Sequence, residues 1–334
     1  MIRLHKPTIK RKDMDAVLNC MVSEMVAPGE KNREFARLLK QQFQAVDVHV
    51  LRSYPKAVEL ALRACEARRA AASALSPGWY LFAAQSAGTE LECCDVMPGF
   101  LAPDVQKIPE GCDVLLLHEP FGIFPDPQNY HDAGIPVIED ITQSFGSQKL
   151  ESKPGEIGSI LVMGLEEHDM ITAGGGAVLI VRDRKYSEGL SRLISQEGDL
   201  MLMPDMNAAL GIVQLSLYEE HMKRRREFFE LFYKSLLKTR HHSVIELDEQ
   251  NLSNCITFPV LLDSNSKAVL KFTRKYKVEA ALAFEGCLLH AMEHETENFP
   301  NAMPYLLRTM LFPLYPLLSQ DQIKTLVRVL AALP

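Results

Sequence analysis

The chain has 334 residues, 47% of them apolar and 24% charged, with a net charge of −7. That fits a soluble globular protein with one large domain, or a large domain and a smaller companion, and it excludes the clustered basic face that nucleic-acid binding calls for. No apolar run reaches membrane-spanning length, the N-terminus lacks the apolar core of a secretion signal, and seven cysteines without CxxC or metal-knuckle spacing suit a reduced cytoplasm.

Helical spacing covers residues 11–22 and 31–45. "VHVLRS" (48–53) reads as a short strand and 56–75 as a helix. "WYLFAA" (79–84), "DVLLLHE" (113–119), "PVIED" (136–140) and "SILVMG" (159–164) are short apolar runs whose length and side chains favour buried strands. Cys93-Cys94 read as strand or core residues. Helix or loop between these runs predicts a mostly parallel sheet in an α/β domain. "GAVLIV" (176–181) follows its predecessor closely and is expected to return antiparallel. A long helix is predicted over 205–238. Its basic run, Lys223-Arg224-Arg225-Arg226, has acidic neighbours and reads as a solvated face. The texture then changes: strand at 255–263, helices at 266–276 and 319–333. This predicts a large domain over 1–240 and a small α+β domain over 241–334.

The glycine triplet Gly174-Gly175-Gly176 lacks the Lys-Ser or Lys-Thr of a phosphate loop and leads into a strand, so it reads as a turn needing positive φ or close backbone approach. Glu139 and Asp140 end a predicted parallel strand, the edge where open α/β sheets bind ligands. An acid there could ligate a metal, accept a ribose hydroxyl, pair with a cationic ring, or simply cap the next turn. His290 and His294 share a helix face, but no third metal ligand is evident. His241 and His242 read as linker, and nothing near Cys287 marks it as activated.

Together these stretches resemble the DegT–DnrJ–StrS group of sugar-nucleotide aminotransferases, which are fold-type I pyridoxal-phosphate enzymes. The likeness runs from "MIRLHKPTIKRKDMD" and the "APG" before the second helix, through "GIPVIEDITQSFGS" and "GEIGSILVMGLEEHDMITAGGGAVLIV", to "MNAALGIVQL" and "FPNAMPYLLRTMLFPLYPLLSQDQIKTLVRVL". It implies a mixed, mostly parallel seven-stranded sheet in the large domain, a small C-terminal domain, and a homodimer acting on a nucleotide sugar. It puts Asp140 against the pyridine nitrogen, where the charge keeps the ring an electron sink, and Gln143 near the phenolic oxygen.

The resemblance also marks losses. Counting back from Gly176, the Schiff-base lysine of the family falls on His168 and its phosphate-contacting serine on Met163. Imidazole cannot form that imine, but it can act as acid or base. The phosphate turn falls on Ser53-Tyr54-Pro55, without its glycine; Pro55 has no N–H to give. The stacking aromatic falls on Ser86, and the Asn and Arg before the long helix on Leu200 and Leu202. The stretch 66–110 is shorter than usual. Lys56 is a candidate substitute for phosphate binding, set against a solvated helix lysine. The expectation is a divergent member, linked to nucleotide-sugar and surface-polysaccharide biosynthesis, with pyridoxal phosphate held weakly or lost and no ordinary transamination. The rival readings are a sugar dehydratase with His168 as base, and an active aminotransferase.

Overall fold

The computed structural model describes residues 1–131, 134–246, 251–263, 265–292 and 296–334. The main sheet has seven strands: β1 (Asp47–Leu51), β2 (Arg69–Ser73), β3 (Glu90–Cys94), β4 (Val114–His118), β5 (Val137–Asp140), β7 (Ile160–Gly164) and β8 (Ala177–Val181). Their order is β1-β8-β7-β5-β4-β2-β3. The run from β3 to β7 is parallel, and β8 returns antiparallel to both β7 and β1. The mixed, mostly parallel sheet is therefore as expected.

The helices on it are α1 (Arg11–Val22), α2 (Glu30–Phe43), α3 (Tyr54–Ala64), α4 (Trp79–Ala87), the short α5 (Gln128–His131), α6 (Ser187–Glu197) and the 32-residue α7 (Asp205–Leu236). One side of the sheet, with Leu116, Ile138 and Val162, packs on α3 and α4; the other, with Leu161, Met163 and Val178, packs on α2 and α7. A two-stranded ribbon joins β6 (Gln148–Lys149) to β10 (Asn251–Leu252). A second sheet, in the order β12-β13-β11-β9, comprises β9 (His242–Ser243), β11 (Phe258–Leu261), β12 (Ala281–Leu282) and β13 (Thr309–Phe312). Helices α8 (Ser266–Lys275), α9 (Leu288–Ala291), α10 (Ala302–Arg308) and α11 (Gln320–Leu330) accompany it. No described helix is long and apolar enough to cross a membrane.

Two predicted elements are exchanged. The helix expected over 56–75 stops at Ala64: Glu66 enters the left-handed region at φ 52°, and Arg69–Ser73 becomes β2. Its alanines favour helix in isolation, but burial between β3 and β4 overrides that preference. The strand expected at 79–84 is α4. Tyr80, Ala83 and Ala84 are buried while Phe82 is 65% exposed, which is helical spacing. Gly78 starts the turn because a Cβ there would sit 2.4 Å from the Gly286 carbonyl.

The basic run is not wholly solvated either. Arg225 is buried and Arg226 donates to the Ser253 carbonyl. His241 is no linker: it is buried, accepts from Asp263 N–H at 3.1 Å and lies 3.0 Å from the Pro334 carbonyl. His290 is exposed on α9, and His294 lies outside the described residues. The cysteines carry no disulfide.

Asp205, at the start of α7, explains the "APG" stretch. Its carboxylate accepts from Gly29, Lys31 and Asn32 N–H at 2.7–3.0 Å and so caps α2 from a distant element. Glycine at 29 leaves space for that carboxylate, which a Cβ there would meet at 3.0 Å. Asp205→Ala is expected to destabilise the chain by about 2–4 kcal/mol, since three amides lose a charged acceptor; urea unfolding measures this, and a loss below about 0.5 kcal/mol would contradict it.

Candidate active site

Asp140 ends β5 fully buried. Its two oxygens are engaged by the chain itself. Oδ2 accepts from the hydroxyls of Tyr54, at 2.5 Å, and Tyr80. Oδ1 accepts from the backbone and hydroxyl of Thr142, and the Thr142 hydroxyl in turn accepts from Gly164 N–H at 2.8 Å. The Tyr54 and Tyr80 rings lie edge-on to Trp79, 4.6 and 4.7 Å between centroids. Tyr54 enters this space because residue 164 is glycine: a Cβ there would be 2.6 Å from the Tyr54 ring. Burial, reinforced by the neighbouring Asp140 charge, pushes both phenols well above their ordinary range, so they stay protonated donors.

His118, at the end of β4, lies with Nδ1 3.9 Å from Asp140, and burial lowers its pKa although Asp140 opposes this. That nitrogen has no hydrogen-bond partner among the described residues. It lines a cavity of about 230 Å³ with Trp79, Phe121, Gln143, Phe284 and Cys287. Gln143 is half-buried, and its Oε1 accepts from Phe121 N–H at 3.0 Å. Burial raises the Cys287 thiol, which leaves it unactivated.

Glu139 points away from any ligand role. Its carboxylate accepts from Gly155, Ile157 and Gly158 N–H and so holds the 155–158 turn. Glu119 is buried against it. Burial first, and then the Glu139 charge, raise the Glu119 pKa strongly. Glu119 is thereby held towards its protonated form, while Ser144 donates to its Oε2.

The sequence places Asp140, Gln143, Ser53 and His168 around one ring, and the structure gathers only part of that set. Asp140 and Gln143 share the carboxyl edge of the sheet. Ser53 is exposed, and its oxygen accepts from Lys56 N–H at 3.4 Å as the cap of its own helix. His168 is exposed and meets His5 instead, with ring centroids 5.5 Å apart. The loop residue aimed inward is Asp169. It is buried beside Gly164, receives Glu166 N–H at 2.7 Å, and is held towards its neutral form by burial and by Asp140. Met163 is packed in the apolar layer under α2 and α7. Ser86 is exposed on the last turn of α4; the aromatic side chains of α4 beside Asp140 are Trp79 and Tyr80, hidden from sequence reading by the strand assignment. Leu200 is 76% exposed.

The phosphate end is likewise self-contained. Pro55 stands in the first turn of α3. Lys56 pairs with Glu59 at 2.8 Å and Glu197 at 2.7 Å, and Arg63 approaches the same two acids. The glycine triplet has φ of 74°, 123° and 98°, and its N–H groups go to the Thr172 hydroxyl, the Leu165 carbonyl and Glu166. It is a turn with no donor left for an anion. These side chains do not match what a phosphorylated pyridine aldehyde needs: an open carboxylate, a phosphate cradle and a facing amine.

A profile of the DegT/DnrJ/EryC1/StrS aminotransferase family matches residues 128–331. The chain belongs to that family. A dTDP-4-dehydro-2,3,6-trideoxy-D-glucose 4-aminotransferase of Saccharopolyspora spinosa is 24% identical over 265 residues, 68% of this chain and 69% of that protein. The spore coat polysaccharide biosynthesis protein SpsC of Bacillus subtilis is 21% identical over 236 residues, 58% of each chain. The putative sugar aminotransferase Spr1654 of Streptococcus pneumoniae, in its pyridoxal-phosphate form, superposes with a TM-score of 0.88 at 18% identity, covering 98% of this chain and 97% of that one. The fold is thus the fold-type I architecture.

The Glu119–Glu139 pair gives a pH prediction. A carboxyl whose folded pKa is raised stabilises fully below its unfolded pKa and loses that contribution as pH rises through the folded value. Glu119→Gln keeps a donor to Glu139 without the titration. The variant is expected to gain on the wild type as pH rises from about 5 upward, by up to about 1.4 kcal/mol per pH unit. Denaturant midpoints across that range check it; a difference that does not change with pH would show that Glu119 is not the proton carrier.

Proposed function

We propose that this chain is a family member that no longer holds pyridoxal phosphate or transaminates, and serves nucleotide-sugar and surface-polysaccharide synthesis as a binding or partner subunit. One observation carries the reading: the Asp140 carboxylate is already saturated by Tyr54, Tyr80 and Thr142. A pyridinium would have to displace two buried phenols to reach it. The pathway assignment is supported by the names of the relatives, a deoxysugar aminotransferase and a spore coat polysaccharide protein. The dehydratase reading needs His168 over the ring, and the exposed place of His168 beside His5 argues against it.

The test is a titration of the wild type and His168→Lys with pyridoxal phosphate, followed by visible absorbance and an amino-donor half-reaction. Neither protein is expected to bind at low micromolar cofactor. Two or three missing hydrogen bonds to charged groups, at about 1.5–3 kcal/mol each, weaken binding by roughly two to six powers of ten. Micromolar binding with turnover in His168→Lys would overturn the proposal.

We further propose a division into domains 1–240 and 241–334, supported by the second sheet, whose strands run from His242 to Phe312, and a homodimer. Support for the dimer comes from α1, where Met14, Leu18, Met21 and Val22 form an apolar stripe, each 54–75% exposed. Leu18→Glu is expected to shift the sedimenting species from dimer to monomer. A wild type that sediments as a monomer rejects the dimer, and an unshifted variant rejects α1 as its seam.

A further inference from the structure

A second polar centre lies where the N-terminal segment Leu4–Thr8, the loop carrying His168, the middle of α7 and Leu314–Tyr315 meet. They enclose a cavity of about 10 Å³, space for about one water-sized body. Two desolvated nitrogens belong to its lining residues and have no hydrogen-bond partner among the described residues: Arg225 Nε and His221 Nε2. Their side chains are 6% and 3% exposed. His5 and His168 line the same space.

The charge there is uncompensated. The Arg225 NH1 group donates to the Ile256 and Leu314 carbonyls at 2.6 Å each, which orients the guanidinium without cancelling its charge. Among the described residues no carboxylate acts on it: burial lowers its pKa to about 10, opposed by Cys255. The acids that line the cavity do not supply the counter-charge. Glu167 is exposed, and Asp169 is committed to Glu166 N–H and held towards its neutral form. Burial, then Lys10 and Arg225, lower His221, while Glu220 and Asp13 oppose this. A buried cation without a counter-charge is costly. A water would satisfy the two nitrogens but leave the charge standing.

We propose that this cavity binds one small monovalent anion of chloride size, held by Arg225 Nε and His221 Nε2. The inference is independent of whether the Asp140 site has lost its cofactor. The bound ion ties the N-terminal segment to α7 and to the loop of His168.

The probe is bromide. Crystals of the full chain equilibrated in sodium bromide are expected to show an anomalous peak within hydrogen-bonding distance of both nitrogens. In solution, exchanging sodium gluconate for sodium bromide at fixed ionic strength is expected to raise the melting temperature saturably, as a ligand specific for the folded state does. His221→Leu is expected to weaken the apparent dissociation constant by about ten- to a hundredfold. Arg225→Met abolishes the effect if it folds, and the wild-type crystal decides the matter if neither variant does. Water alone between the nitrogens, or an equal rise in both salts, overturns the proposal.

Discussion

Everything at the carboxyl edge of the main sheet is organised by the need to satisfy one buried acid. Asp140 is cut off from solvent at the end of a central strand, where an unpartnered carboxylate costs several kcal/mol. This chain meets the need with Tyr54, Tyr80 and Thr142. Each recruits a neighbour: Tyr54 requires the missing Cβ of Gly164, both phenols lean on Trp79, and Thr142 takes the Gly164 amide. The substitution at the turn and the aromatic pair on α4 are therefore one packing solution, and altering any part exposes the acid again.

The charges along α3 follow the same logic: Lys56 in its first turn and Arg63 in its last share the acids Glu59 and Glu197. The framework does not depend on that edge. Asp205 caps α2 and Glu139 holds the 155–158 turn through backbone amides alone. Fold and site are separable in this chain for that reason: the anchors that fix the sheet and helices lie outside the ring of side chains around Asp140.

Much of this was legible in the sequence, because strands buried on both faces write themselves as short apolar runs: β4, β5, β7 and β8 were found by that signal, and α7 by its length. The alanine-rich β2 was not, since alanine carries no strand signal and only its neighbours make it a strand. Without it α4 reads as a strand, which hides Trp79 and Tyr80, and the aromatic that the resemblance implies falls on Ser86. Tyr54 was noticed as the absence of glycine, but its reach to Asp140 depends on Gly164, far away in the chain. Arg225 was hidden by composition: four consecutive cations look solvated, yet α7 turns one of them inward every few residues.

The loop of residues 164–176 shows how fully such a change is built in. Adjacent side chains of a tight loop point to different sides, and here Asp169 takes the inner side and His168 the outer. Three contacts fix that choice: Glu166 N–H on Asp169, Glu166 on Gly176 N–H, and the Leu165 carbonyl shared by Ala173 and Gly175 N–H. Bringing residue 168 inward would mean breaking the Asp169 turn while Tyr54 already fills the space above Gly164. On the outer side His168 joins His5 around Arg225, so the position opposite Asp140 and the position beside the buried guanidinium are alternatives for one residue. The loop is committed to the second by backbone hydrogen bonds as well as by the identity of its side chain.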